Sequence, residues 1–275
     1  MYLRTKDYLV SGEIFDLVLD QETQMLVTTP QPKPEDLSKY YESESYISHT
    51  DSNKGIVSYC YQIVKKYSLK KKLKLINRFQ TTKGLILDIG AGTGEFLKEA
   101  DNNGWEIYGI EPSPKARELA KNKNVFLSKE FGELPDKKFD VITLWHVLEH
   151  LPSLDEEIKK IESFLKPSGI LIIAVPNYKS YDAKFYKKHW AAYDVPRHLW
   201  HFSQQSMKLL FSKNLKLVRI QPMIFDSFYV SLLSEKYKTG NSFSVRAFFV
   251  GLWSNIKAWS STEYSSLIYC YKKEG

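Results

Sequence analysis

The segment Leu85-Ile86-Leu87-Asp88-Ile89-Gly90-Ala91-Gly92-Thr93-Gly94-Glu95-Phe96 constrains the fold more than any other part of the chain. An unbroken apolar run, three glycines spaced by two, and a helix-forming stretch describe a buried strand that turns sharply into a helix. Glycine lets the backbone adopt the turn and bring its N–H groups close to a ligand at the helix start. A dinucleotide fingerprint would need Gly or Ala at position 95, where this chain has Glu95; a phosphate-binding P-loop would need a Gly-Lys-Ser/Thr that is missing.

Beyond Gly84 short apolar runs alternate with helical segments: LILDIG, EFLKEADNN closed by Gly104, WEIYGIE, a helix opened by Ser113-Pro114, FDVITLW, DEEIKKIESFLK and ILIIAV. Such alternation predicts βαβ units, a mainly parallel sheet and helices on both faces. Ser113 with Pro114 at the first helical position predicts an N-cap, Ser153 and Glu156 a capping box, and Lys166-Pro167-Ser168-Gly169 a helix stop. Glu111 closes the second strand 21 residues beyond Gly90, where an ionised carboxylate receives the vicinal hydroxyls of a ribose. Loop and acid together predict a nucleoside site.

The 275 residues are 43% hydrophobic and 14% aromatic, enough for a full core; this excludes a disordered, collagenous or disulfide-stapled chain. Cys60 and Cys270 fit neither a disulfide framework nor a Cys-rich zinc site, and point to a reducing, cytoplasmic setting. The net charge of +7 is compatible with an anionic partner without naming one. No apolar run follows a basic head, and stretches such as Ile170 to Val175 fall short of the ~20 residues a spanning helix needs. Residues 1–54 read as an N-terminal appendage, with two strand-like runs over 8–29, a Pro-marked linker and a short Tyr-rich helix near 35–42. Residues 55–275 read as the main domain, with insertions near 178–205 and 223–262. It is led by a helix over 56–79 with apolar Ile56, Cys60, Ile63, Tyr67, Ile76 and Phe79 and a lysine cluster read as a solvated face.

The chain resembles the class I S-adenosylmethionine-dependent methyltransferases, in the branch with ubiquinone-biosynthesis and sugar methyltransferases. The resemblance covers residues 84–220 and implies a Rossmann-like, doubly wound α/β fold: a seven-stranded sheet, mainly parallel with one antiparallel strand. Asp88-Ile89-Gly90-Ala91-Gly92-Thr93-Gly94 is similar to the cofactor loop, which makes Asp88, Gly90, Ala91, Gly92 and Gly94 cofactor-binding residues, the glycines against the methionine part of the ligand and Asp88 ordering the loop. Glu111, followed by Pro112, falls on the ribose acid. Lys129-Glu130-Phe131-Gly132-Glu133-Leu134-Pro135 is similar to the adenine segment and puts Glu130 on the amino group and Phe131 beside the ring. In Phe139 to Leu151 the resemblance sets Trp145 and His146 beside the sulfonium. The implied cosubstrate is S-adenosylmethionine, leaving S-adenosylhomocysteine.

Methyl transfer from a sulfonium needs alignment and exclusion of water more than an elaborate triad. A hydroxyl acceptor needs a base, and histidine is the usual one. The segment 185–202, FYKKHWAAYDVPRHLWHF, supplies aromatic residues for a flat or amphipathic acceptor. The candidates for catalysis are Tyr193, His198 and His201 there, with His146. His146-Val147-Leu148-Glu149-His150 matches the inverted zinc-peptidase motif, but it follows a strand directly and Pro152 leaves no room for the long helix. Glu149 and His150 are expected to hydrogen-bond the strand end, and no metal is assigned. The Cys-x-x-Cys pairs with which related sugar methyltransferases often begin are missing before Cys60. The apolar pieces MIFDSFYVSLL and FSVRAFFVGLW suit a lid, a dimer face or a patch resting on a membrane, with burial in the core the expectation. The expected activity is O-methylation of a small amphipathic, ring-containing or glycan- or lipid-linked acceptor. The rivals are a nucleic-acid methyltransferase and a non-catalytic binding module.

Overall fold

The computed structural model describes residues 1–41, 56–211, 215–241 and 243–274. Three short strands open the chain, β1 (Leu3–Lys6), β2 (Ile14–Leu19) and β3 (Leu26–Thr29), where the sequence suggested two. A 3-10 turn over Pro34–Tyr41 stands where the Tyr-rich helix was expected, and residue 42 lies outside the described residues. Helix α1 (Ile56–Phe79) leads into β4 (Leu85–Ile89), α2 (Glu95–Asp101), β5 (Glu106–Ile110), α3 (Pro114–Lys121) and β6 (Phe139–Trp145). Then come α4 (Leu154–Phe164), β7 (Leu165–Pro176), α5 (Tyr181–Tyr186), β8 (Trp200–His201), α6 (Gln204–Leu210) and β9 (Leu215–Pro222). A hairpin of α7 (Asp226–Thr239) and α8 (Val245–Ser261) precedes the last strand, β10 (Ser266–Lys273).

The main sheet has the order β5-β4-β6-β7-β10-β9, with β10 antiparallel to both neighbours and the other pairs parallel. Among the described residues it has six strands where the resemblance implied seven. The segment after α3 reaches the sheet edge through one parallel bridge, Ile110 to Ser128, too short to count as a strand. Successive side chains of a strand point to opposite faces. Ile86, Val141 and Ile172 therefore pack with Ile76 of α1 and Phe96 and Leu97 of α2. Leu87, Ile142, Leu144 and Ile173 pack on the other face with Ile158 and Ile161 of α4. These strands are buried on both faces and read as continuous apolar runs.

Local punctuation acts mostly as expected. Ser113 accepts a bond from the Ala116 amide at 3.3 Å and Pro114 follows it. Ser153 stands at the N-cap of α4, but its side chain makes no cap bond, so the expected capping box does not form. The motif 146–150 turns in 3-10 form over Leu148–His150, not in a long helix. Of α1, Leu73, Leu75 and Ile76 are buried and Tyr67 is exposed; the side chains of Ile56, Cys60 and Ile63 lie outside those described.

The opening strands extend a second sheet, β1-β2-β3-β8, whose last member comes from the insertion after β7. Arg197 pins the two segments together. Its fully buried guanidinium reaches Asp7 at 2.9 Å, Asp194 at 2.7 Å and the Tyr40 carbonyl at 2.9 Å. Burial opposes the charge, but the two aspartates overcome it and raise the pKa further above an already high value. Removing one member of such a set strands buried charge. Arg197→Ala should therefore destabilise the protein by about 3–5 kcal/mol in denaturant unfolding; a loss below about 1 kcal/mol would show that the cluster is not holding the insertion to the opening strands.

Candidate active site

The site is built where β4, β5 and β6 end. Gly90 takes a left-handed φ of 69°, and a Cβ there would fall 2.4 Å from Val147 Cγ2, so the loop needs glycine both for its turn and for its passage. Gly92, at φ 54°, has no atom within 4 Å of where its Cβ would stand, leaving its surface open. The Ala91 amide donates to the Ile110 carbonyl at 2.9 Å, and the Gly94 amide to Ala91 at 3.0 Å. The Gly92 amide donates to Glu111 Oε2 at 2.9 Å, joining loop and acid directly. The other oxygen of Glu111 accepts from the Ser113 amide at 2.9 Å, and Arg117 Nη1 clamps the Glu111 and Pro112 carbonyls at 2.8 and 2.7 Å.

The loop forms one wall of a cavity of about 500 Å³, closed by α1, Trp145 and the start of α7. Asp88 lines it, and the Thr143 hydroxyl donates to its carboxylate at 2.5 Å. Burial lifts the Asp88 pKa to about 7, against the opposing pull of Thr143 and Lys72. Lys72 lies 4.2 Å above the Trp145 ring; burial lowers its pKa while Asp88 and Asp226 support its charge. Trp145 meets Phe96 edge-on at 5.5 Å, and its buried Nε1–H has no hydrogen-bond partner. A carboxyl group, a lysine, an aromatic ring and an open glycine face thus converge on one cavity.

His146 also takes a left-handed φ, 58°. Its Nε2 lies 3.2 Å from Asp226 Oδ2, on the cavity wall, and its Nδ1 lies 3.5 Å from Glu149 Oε1. Burial works against a charged ring, yet the two carboxylates outweigh it and raise the pKa to about 9. His146 is therefore a cation at neutral pH and holds no lone pair for a base.

The remaining expected residues separate into two groups. Glu130 is exposed, and Phe131 stacks on Phe164 at 5.4 Å; neither lines the cavity. Tyr193, His198 and His201, expected over the acceptor, are buried together in the insertion core and do not line the cavity either. Tyr193 packs edge-on against Trp190 at 4.9 Å and His201 at 5.5 Å. Since the Thr28 hydroxyl donates to the His198 carbonyl at 2.6 Å, His201 Nε2–H donates to Thr28 Oγ1 at 3.0 Å. Burial lowers the His201 pKa to about 3 and that of His198 well below its usual value; both rings are neutral hydrogen-bonding core.

The sequence assigned no metal and left open whether Glu149 and His150 hold one. Glu149, His150 and His198 nevertheless bring one donor atom each within 4.8 Å of one another. Neither Glu149 oxygen receives a hydrogen bond. Nδ1 of His198 lies 2.9 Å from the Ala192 carbonyl and Nδ1 of His150 lies 3.0 Å from that of Arg197, which leaves Nε2 of each ring as the ligand atom. Two imidazoles and a carboxylate are the donor chemistry of a divalent cation.

Sequence reasoning passed over Lys72 and Asp226. The lysine is indistinguishable in composition from its exposed neighbours on α1, and the aspartate arrives from the insertion 223–262, more than 130 residues after the glycine loop.

Fold and glycine loop together are those of a methyltransferase domain. The sequence model of the methyltransferase domain family matches residues 63–217, and the chain belongs to that family. It is 35% identical over 108 residues to an uncharacterized methyltransferase of Alkaliphilus oremlandii (37% of this chain, 50% of the relative). It is 30% identical over 122 residues to the ubiquinone biosynthesis O-methyltransferase of Coxiella burnetii (40% and 52%). The chain spans about half the length of the curated relatives it matches. In fold it is similar to the plantazolicin methyltransferase BpumL, solved with S-adenosylhomocysteine: TM-score 0.54, 14% identity, 87% of this chain and 94% of that one.

Because Asp226 raises the His146 pKa, Asp226→Asn should lower it from about 9 toward the ordinary 6.5, read from the imidazole proton shifts by NMR. The sign follows from linkage: a raised histidine pKa contributes stability in full below about pH 6.5, and that contribution is lost as pH rises through about 9. The difference in stability between wild type and variant should shrink across that window. An unchanged titration would dissolve the pair.

Proposed function

We propose that this protein transfers the methyl group of S-adenosylmethionine to the oxygen of a small amphipathic or ring-bearing acceptor. What carries the reading is the direct bond between Glu111 and the Gly92 amide at 2.9 Å: it sets a ribose-accepting carboxylate against a glycine loop that opens into a cavity of about 500 Å³. The names of relatives that act in ubiquinone and menaquinone biosynthesis are compatible with a ring-bearing acceptor.

The cosubstrate, when bound, supplies an activated methyl on a sulfonium, so the chain's own task is binding, alignment and proton acceptance. Its methionyl end is a zwitterion, and Lys72 and Asp88 meet it with opposite charges: the ammonium of Lys72 toward the carboxylate, the carboxylate of Asp88 toward the ammonium. Glu111 accepts from the ribose hydroxyls. On the opposite wall Asp226, held by the His146 cation at 3.2 Å, keeps a second oxygen with which to take the acceptor's hydroxyl proton as the new carbon–oxygen bond forms. Apolar Ile224 and Phe225 beside it give a flat ring something to lie on.

Glu111→Ala and Lys72→Met should each weaken S-adenosylhomocysteine binding by about 1.5–3 kcal/mol, the worth of a charged hydrogen bond; unchanged calorimetric affinity in both would remove the reading. Asp226→Asn should leave that affinity within about twofold while slowing transfer by about a hundredfold or more. Labelled cosubstrate incubated with lipid, glycan, RNA and small-molecule fractions locates the acceptor. Label in RNA, or binding without turnover in any fraction, would replace the proposal with one of its rivals.

A further inference from the structure

The hairpin of α7 and α8 packs inside out. Its buried stripe is mostly small, with Ser227, Val230, Ser231 and Ser234 on α7 and Ala247, Val250, Gly251, Ser254 and Ala258 on α8. A Cβ on Gly251 would lie 2.9 Å from Phe228 Cα, so the two helices meet almost backbone to backbone. The Ser254 hydroxyl donates to Asp182 at 2.6 Å, which fixes the rotation of α8. Its large apolar side chains consequently face outward: Phe248 and Phe249 are 56% and 61% exposed, Trp253 46% and Trp259 76%. Phe243 and Val245 extend the patch at the hairpin turn, and Ile224, Phe225 and Tyr229 carry it to the mouth of the cavity. The expectation that these pieces are core holds for Val230 and Val250 and fails for the large aromatics. Exposed aromatic surface of this extent marks a binding face.

The exposed charges of the hairpin are all basic. Helix α8 contains no acidic residue and carries exposed Lys257, whose Nζ lies 5.3 Å from the Trp253 ring centroid. The end of α7 adds exposed Lys236 and Lys238. The acids of α7 are already engaged: Asp226 with His146 at 3.2 Å, and buried Glu235 with Arg246 at 3.5 Å. Tyr67 meets Phe225 edge-on at 5.9 Å and so joins the patch to α1, a helix with seven lysines and arginines and no acid. A second copy of the chain seated here would set these lysines against their own images. A surface of anionic lipid offers both what the aromatics and what the lysines need: an acyl boundary for the rings and phosphates for the ammoniums.

We infer that the α7–α8 hairpin docks the protein on an anionic lipid bilayer, with Phe248, Phe249, Trp253 and Trp259 entering the headgroup boundary, and that the acceptor passes from the bilayer into the cavity between Phe225 and Tyr229. The docking lies on the surface without crossing it, for no described helix is long and apolar enough to span. The lipid-borne character of the acceptor rests on the methyltransferase reading; the docking itself does not.

The test is flotation of the full chain with vesicles of phosphatidylcholine alone and of phosphatidylcholine mixed with phosphatidylglycerol, at low and high salt. Wild type should float with the anionic vesicles and leave them as salt rises. Phe248→Glu combined with Phe249→Glu should lower the vesicle-bound fraction by at least about tenfold, while S-adenosylhomocysteine affinity by calorimetry stays unchanged. That affinity verifies the fold of the variant and keeps failure of the docking distinct from failure of the cofactor site. Absence of flotation with anionic vesicles, or flotation insensitive to the two substitutions, would overturn the inference. So would a dimer in light scattering that the substitutions dissolve while vesicles fail to bind.

Discussion

One hydrogen bond organises the site: the Gly92 amide on Glu111 Oε2 at 2.9 Å. It ties the turn after β4 to the end of β5, and Arg117 holds the β5 end in place through the Glu111 and Pro112 carbonyls. Without Gly90 the loop could not pass Val147, and without the passage the amide would not reach the acid. Two neighbouring parallel strands in register, Ile89 beside Ile110, set the distance that makes this contact short. Backbone geometry and a single carboxylate thus produce the nucleoside-binding edge common to open α/β sheets.

The acceptor side is made differently. Nothing in the parallel sheet supplies Asp226; the helical hairpin inserted between β9 and β10 carries it in, and His146, in its left-handed conformation, receives it. The same hairpin exposes its aromatic face beside that point. Asp226 and the exposed aromatic face therefore come from one late insertion, whereas the glycine loop and Glu111 come from the sheet. That division lets one fold keep its cosubstrate and change its acceptor.

Much of the sheet side was legible in the sequence because its signals are local. The strand, its glycines and the acid 21 residues on are read from spacing alone, and the cap at Ser113 from two adjacent residues. The acceptor side was not, because its signals are long-range. Lys72 differs from Lys71 only in which way α1 turns it, and composition carries no direction. His198 and His201 looked catalytic for their crowding with aromatics, yet the same crowding buries them: a neutral imidazole bonded to Ala192 or Thr28 satisfies a core as well as it serves a reaction. The outward face of α8 is hidden in a helix whose small residues fall on one stripe and whose large ones fall on the other; apolar content suggested burial, and only the packing of Gly251 on Phe228 decides which stripe goes in.

The most direct measurement is a crystal structure with S-adenosylhomocysteine. Density should run along the Gly90–Gly92 turn, with both ribose hydroxyls within hydrogen-bond distance of Glu111 and the amino-acid end between Lys72 and Asp88. An ordered loop beside an empty cavity at saturating ligand, or a ligand whose ribose lies away from Glu111, would contradict the account.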